Sequence, residues 1–75
     1  IGKFSDERLK ENIELVDSVD GINIYEFRYK KNPKHKFRGV IAQELEKEFP
    51  EAIIKDEDGL LSVDYSLIDV NFEQI

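Results

Sequence analysis

Residues 5–18 read Ser5-Asp6-Glu7-Arg8-Leu9-Lys10-Glu11-Asn12-Ile13-Glu14-Leu15-Val16-Asp17-Ser18, and two periodicities compete within them. Leu9, Ile13 and Val16 share one helical face at spacings of four and three, with Ser5 or Asp6 placed to cap it. Ile13 and Leu15 among alternating acids fit a strand almost as well. The fold class turns on which period wins.

Outward from this stretch the pattern is clearer. Tyr25, Phe27 and Tyr29 alternate with Glu26, Arg28 and Lys30, the period of a strand with one buried face, and Ile22 and Ile24 extend it. Lys31-Asn32-Pro33-Lys34 carries turn chemistry, so Phe37 to Ile41 reads as the returning strand. Gly39 within it marks a bulge or a close backbone approach. Ile41, Leu45 and Phe49 then recur every four residues, which predicts a short amphipathic helix stopped by Pro50. Ala52 to Lys55 and Leu60 to Tyr65 form a second hairpin around Asp56-Glu57-Asp58-Gly59, where the Asp-Gly pair suits a tight turn. Ser66 is in place to cap a further helix through Leu67, Ile68, Val70 and Phe72. The expectation is an α+β domain of two β-hairpins with one to three short helices.

A chain of 75 residues with no cysteine and a single histidine has no disulfide, haem, iron–sulfur or classical zinc framework to supplement its small core. Association with other subunits is the remaining way to stabilise it. No cofactor and no metal are expected. The net charge of -6 opposes general binding to phosphate backbones, and no apolar run reaches the length of a membrane helix, so neither nucleic acid nor membrane is an expected partner. Residues 28–38 hold six of the eleven basic residues and no acid, whereas residues 39–75 hold ten acids against Lys47 and Lys55. Such a charge dipole suits either a solvated hairpin tip or self-association. A chain that begins at Ile1 and has no methionine is expected to be a segment of a longer precursor.

Few constellations carry chemistry. A triad of His35 with any serine and acid is unconstrained, and His35 lies in a basic, turn-like loop where solvent exposure is the expected state. Asp56, Glu57 and Asp58 lack the full spacing of a calcium loop and are read as the hairpin turn. Ser5 and Lys10 form a possible nucleophile–base pair, which requires a neutral lysine and therefore burial or neighbouring positive charge. Their separation alone does not favour it, since five residues place side chains about 140° apart on a helix and on opposite faces of a strand.

The run from Ser5 to Ile13 resembles the opening signature of the peptidase S74 family, the intramolecular chaperone and auto-processing domain at the C-termini of phage tail spikes, tail fibres and neck appendages, including endosialidases. Three further stretches agree in order and spacing: Tyr25-Glu26-Phe27-Arg28-Tyr29; Gly39-Val40-Ile41-Ala42-Gln43-Glu44-Leu45-Glu46 with Phe49-Pro50-Glu51; and Asp58-Gly59 followed by Leu61-Ser62-Val63-Asp64-Tyr65. The resemblance implies a C-terminal domain that forms a homotrimer, promotes folding of the β-rich stalk upstream in its own precursor and then cuts itself off. By the same resemblance Ser5 is the nucleophile and Lys10 the general base, and the scissile bond adjoins Ser5. The cut falls either before Ser5, by attack on the carbonyl of Phe4, or between Ser5 and Asp6.

Arg8, Asn12, Gln43 and Glu44, with Asp6, Leu9 and Ile13, match signature positions without an assigned chemical role. Residues 1–4 are then the flank of the cleavage site and residues 5–75 the chaperone domain, its C-terminal helix truncated near Ile75. The implied setting is host cytoplasm during viral assembly, with the parent protein in the virion tail or appendage. The alternative is a non-cleaving trimerisation module of the same fold. A single event in minutes needs a barrier of about 21 kcal/mol, undemanding for a nucleophile and substrate held on one chain. The acidic, exposed look of residues 6–14 leads to one more expectation, that Lys10 is desolvated only when subunits associate.

Overall fold

In the computed structural model, which describes residues 2–75, the stretch after Leu9 is a strand. Seven strands order along the chain as β1 (Lys3–Phe4), β2 (Lys10–Val19), β3 (Ile22–Tyr29), β4 (Asn32–Gly39), β5 (Ile53–Lys55), β6 (Leu61–Val63) and β7 (Glu73–Gln74). The strand period wins in β2 because a partner is available at once. Asp20 and Gly21, both at positive φ (52° and 82°), make a two-residue turn whose twist suits a hairpin, and β3 returns antiparallel along β2. Asp20-Gly21 is itself a hairpin-turn signal in the sequence, outside the turns expected above. Asn12 also adopts positive φ (52°), a conformation asparagine tolerates, where the β2–β3 register shifts between Glu11 and Glu14.

All strand pairing is antiparallel, in a four-stranded sheet ordered β2-β3-β4-β7 and a three-stranded sheet ordered β1-β6-β5. The expected α+β class is therefore corrected: about half of the described residues are strand, and the fold is essentially all-β. The helix expected through Phe49 shrinks to one turn, α1 (Ala42–Leu45), and Pro50 opens a 3-10 turn at Pro50–Ala52. Ile41 offers no side-chain cap, and so short a helix gains too few hydrogen bonds to offset its nucleation. No helix follows Ser66 either. Asp64, not Ser66, caps a 3-10 turn at Tyr65–Leu67, and the chain then extends into β7 against β4. The pull is tertiary, for Phe72 stacks on Phe37 with ring centroids 5.4 Å apart and lies 5.6 Å from Tyr65.

Ile22, Ile24, Val40, Ala42, Leu45, Leu61 and Val63 form a contiguous core drawn from both sheets and α1. Phe27 is fully buried and begins an aromatic cluster with Tyr29, Phe37 and Phe72. Buried positions on β3 thus change parity between Ile24 and Phe27, close to the register shift between Leu15 and Asp17 on its neighbour. The second hairpin follows the sequence expectation, with the Asp56 carboxylate accepting from the backbone N–H groups of Asp58 and Leu60. The Lys31–Lys34 turn is displaced, since the β3–β4 hairpin turns at Lys30–Lys31 and Asn32 already lies in β4.

Candidate active site

Phe4 to Lys10 crosses from the small sheet to the large one, and its polar side chains meet the core there. Phe4 ends β1 opposite Ser62. The Ser5 N–H donates to the Leu61 carbonyl (3.1 Å), and the Ser5 carbonyl accepts from the Ala42 N–H (2.8 Å). These bonds fix the backbone around Ser5 to both β6 and α1. Ser5, Asp6 and Lys10 are the buried polar or charged residues of the described chain, at 0, 0 and 3% exposure. Burial of such groups costs several kcal/mol unless partners compensate.

Asp6 is compensated. Its carboxylate accepts from the Arg8 backbone N–H (2.9 Å), from Arg8 Nε and Nη2 (2.9 and 2.7 Å) and from the buried Leu61 N–H (3.0 Å). It caps the 3-10 turn at Glu7–Leu9, and Arg8 Nη2 also donates to the Gly59 carbonyl, which ties that turn to the second hairpin. The Arg8 guanidinium holds the Asp6 carboxyl well below the usual carboxylate range, against the opposing effect of burial.

Lys10 is compensated much less. Its Nζ donates to the Val40 carbonyl (2.6 Å) and lies 4.0 Å from the Phe27 ring centroid. Desolvation lowers its pKa from 10.5 to about 7, with the Asp6 charge opposing. A single chain therefore buries this lysine, which corrects the expectation that desolvation waits for subunit association. A lysine near pKa 7 is partly neutral at physiological pH and able to accept a proton.

The Ser5 and Lys10 polar atoms are joined through two other residues. Ser5 Oγ is 3.4 Å from the Tyr65 hydroxyl, Tyr65 accepts from the Val40 N–H (2.9 Å), and Val40 presents its carbonyl to Lys10. Gly39 permits the approach: a Cβ there would lie 2.5 Å from the Tyr65 hydroxyl oxygen and 3.2 Å from Phe72. Of the two readings of Gly39, close backbone approach is the one realised. Tyr65 and Val40 carry no catalytic signal of their own in the sequence, and Gly39 beside Val40 is the residue that points to them. Tyr29 carries none either; its hydroxyl donates to the Phe4 carbonyl (2.5 Å).

The remaining signature positions lie around this centre. Gln43 Oε1 accepts from the Glu7 N–H (2.9 Å), joining α1 to the turn after Asp6. Glu44 accepts from the Tyr25 hydroxyl (2.6 Å), and Tyr25 is held above its ordinary pKa by burial and by that carboxylate. Asn12 occupies the positive-φ position in β2, Leu9 offers its carbonyl to the Lys30 N–H, and Ile13 is exposed. His35 lies apart on β4, exposed, with Nδ1 3.0 Å from Gln74 Nε2. Among the described residues, no group of three or more histidines or acids is placed to hold a metal ion.

Ser5 and Lys10 are thus both buried on one short segment at the junction of two small antiparallel sheets, with burial lowering the Lys10 pKa. The chain belongs to the Peptidase_S74 family, described as chaperone of endosialidase, whose model matches residues 5–54. Membership supports a chaperone role. No curated protein and no solved structure gives a match.

Proposed function

We propose that this domain is an intramolecular chaperone that trimerises, promotes folding of a β-rich stalk in its own precursor and releases itself by one autoproteolytic event. Ser5 is the nucleophile and Lys10 the general base. The observation that carries this reading is the burial of both groups, with Lys10 brought to about pKa 7 and left with one hydrogen-bond acceptor. Attack of Ser5 Oγ on its own carbonyl would close a strained four-membered ring. Attack on the Phe4 carbonyl closes a five-membered one, so the cut falls before Ser5.

Six large apolar side chains remain exposed among the described residues: Phe4, Ile13, Leu15, Ile54, Leu67 and Ile75. The trimer itself follows the family reading, since exposed apolar side chains scattered in this way are ordinary on a monomer as well. The setting follows the family reading: host cytoplasm during assembly, with the parent in a virion tail or appendage.

The test is intact-mass analysis of the purified chain over time. The wild type should shed Ile1–Phe4 in a pH-dependent reaction, whereas Ser5→Ala and Lys10→Ala should not. Because one chain buries Lys10, the rate should not depend on protein concentration. A second reading, the non-cleaving trimerisation module, is favoured by the resting contacts, in which Ser5 Oγ meets Tyr65 and Lys10 meets Val40. A wild type that stays intact, with sedimentation showing a trimer, would establish that reading instead.

A further inference from the structure

We propose that the Tyr29 hydroxyl is the donor that stabilises the oxyanion formed at the Phe4 carbonyl during self-cleavage. This rests on the serine–lysine reading above and adds a residue that touches the reacting atoms. Tyr29 Oη donates to the Phe4 oxygen at 2.5 Å, and its ring is held edge-on at 5.3 Å from both Phe27 and Phe37. The donor is therefore in place before reaction, which is the condition for efficient electrostatic stabilisation. Burial and the neighbouring Tyr65 raise the Tyr29 pKa, so the hydroxyl keeps its proton throughout the range in which Lys10 titrates.

The flanking contacts distinguish the two ends of the reacting segment. The Ser5 N–H donates to the Leu61 carbonyl and the Ala42 N–H donates to the Ser5 carbonyl, leaving Tyr29 on the carbonyl that Ser5 Oγ reaches through the five-membered ring. In the step, neutral Lys10 takes the Oγ proton and Oγ bonds to the Phe4 carbonyl carbon. The π electrons move onto the oxygen that Tyr29 donates to. Collapse breaks the C–N bond, and the Ser5 nitrogen leaves as an amine with the proton returned from Lys10. Water then adds to the Phe4–Ser5 ester, freeing a Phe4 carboxylate and restoring the Ser5 hydroxyl.

The test compares wild type, Tyr29→Phe, Ser5→Ala and Lys10→Ala in the full chain across pH, with product masses read after hydroxylamine addition and folding followed by circular dichroism. The wild type should give a fragment beginning at Ser5 and a Phe4 hydroxamate. Tyr29→Phe should stay folded and lower the plateau rate about 100-fold. Its rate should keep an inflection near pH 7, because Lys10 remains buried; a purely structural defect would expose Lys10 and move the inflection up. Placing 3-fluorotyrosine at position 29 retains a more acidic hydroxyl and should cut at or above the wild-type rate, which covers the case in which Tyr29→Phe fails to fold. Tyr29→Phe at wild-type rate, slow cutting by the fluorotyrosine chain, or a fragment beginning at Asp6 would each overturn the inference. With Tyr29→Phe at wild-type rate, inactive Ser5→Ala and Lys10→Ala would leave the serine–lysine reading standing. No cleavage by the wild type would overturn both.

Discussion

Asp6 and Lys10 are two buried charges four residues apart on one segment, and they are treated in opposite ways. Asp6 receives four hydrogen bonds, three from Arg8 and one from Leu61, and its carboxyl is stabilised as an anion. Lys10 has one carbonyl acceptor and an aromatic face, and its pKa falls toward neutrality. Equal burial therefore does not mean equal role. The satisfied charge organises the turn and anchors the second hairpin, whereas the poorly satisfied one stores a cost, the pattern expected of a group kept for proton transfer.

The strongest way to break the contrast is Asp6→Ala. It orphans the buried Leu61 N–H and uncaps the turn, and should destabilise the chain by about 3 kcal/mol in urea unfolding. The opposite sign is expected for Lys10→Met, which fills similar space without a charge to desolvate. It should stabilise by about 2 kcal/mol while removing cleavage.

Gly39→Ala tests the link between Lys10 and Ser5. Its Cβ displaces Tyr65 from the Val40 N–H, so thermal denaturation should show a loss of about 1–2 kcal/mol and cleavage should slow.

The smallest effect per step lies in pH. Below pH 7 both folded and unfolded chains hold the Lys10 proton and the full burial cost stands. Between pH 7 and 10.5 only the unfolded chain binds it, so stability from this group should rise by about 1.4 kcal/mol per pH unit, and above 10.5 the gain is complete. Asp6 acts at the other end: its contribution is present above its ordinary pKa of 3.8 and is lost as pH falls below it. Unfolding titrations of Lys10→Met and Asp6→Ala should each lose the corresponding limb.

Much of the sheet was legible locally. The Tyr25–Tyr29 alternation, the second hairpin and the close approach at Gly39 were all readable from period and turn chemistry. Both longer helices were misread for a common reason. Leu45 and Phe49, or Ile68 and Phe72, have spacings a helix accepts, but spacing does not reveal that Phe72 has Phe37 to stack on, or that four residues of α1 suffice to bury Ala42 and Leu45. For residues 5–18, an Asp-Gly turn directly after the ambiguous run was the deciding clue, because it provides β3 as a partner.

The sequence by itself determined the family, which the match over residues 5–54 shows across the first three of the four blocks, and placed Ser5 and Lys10 on one short segment. It did not determine that both are buried, that desolvation lowers the Lys10 pKa or that Tyr29 reaches the Phe4 carbonyl. Those depend on desolvation and on donors separated by 25 to 60 residues in the chain, which come together only when both sheets close around the segment.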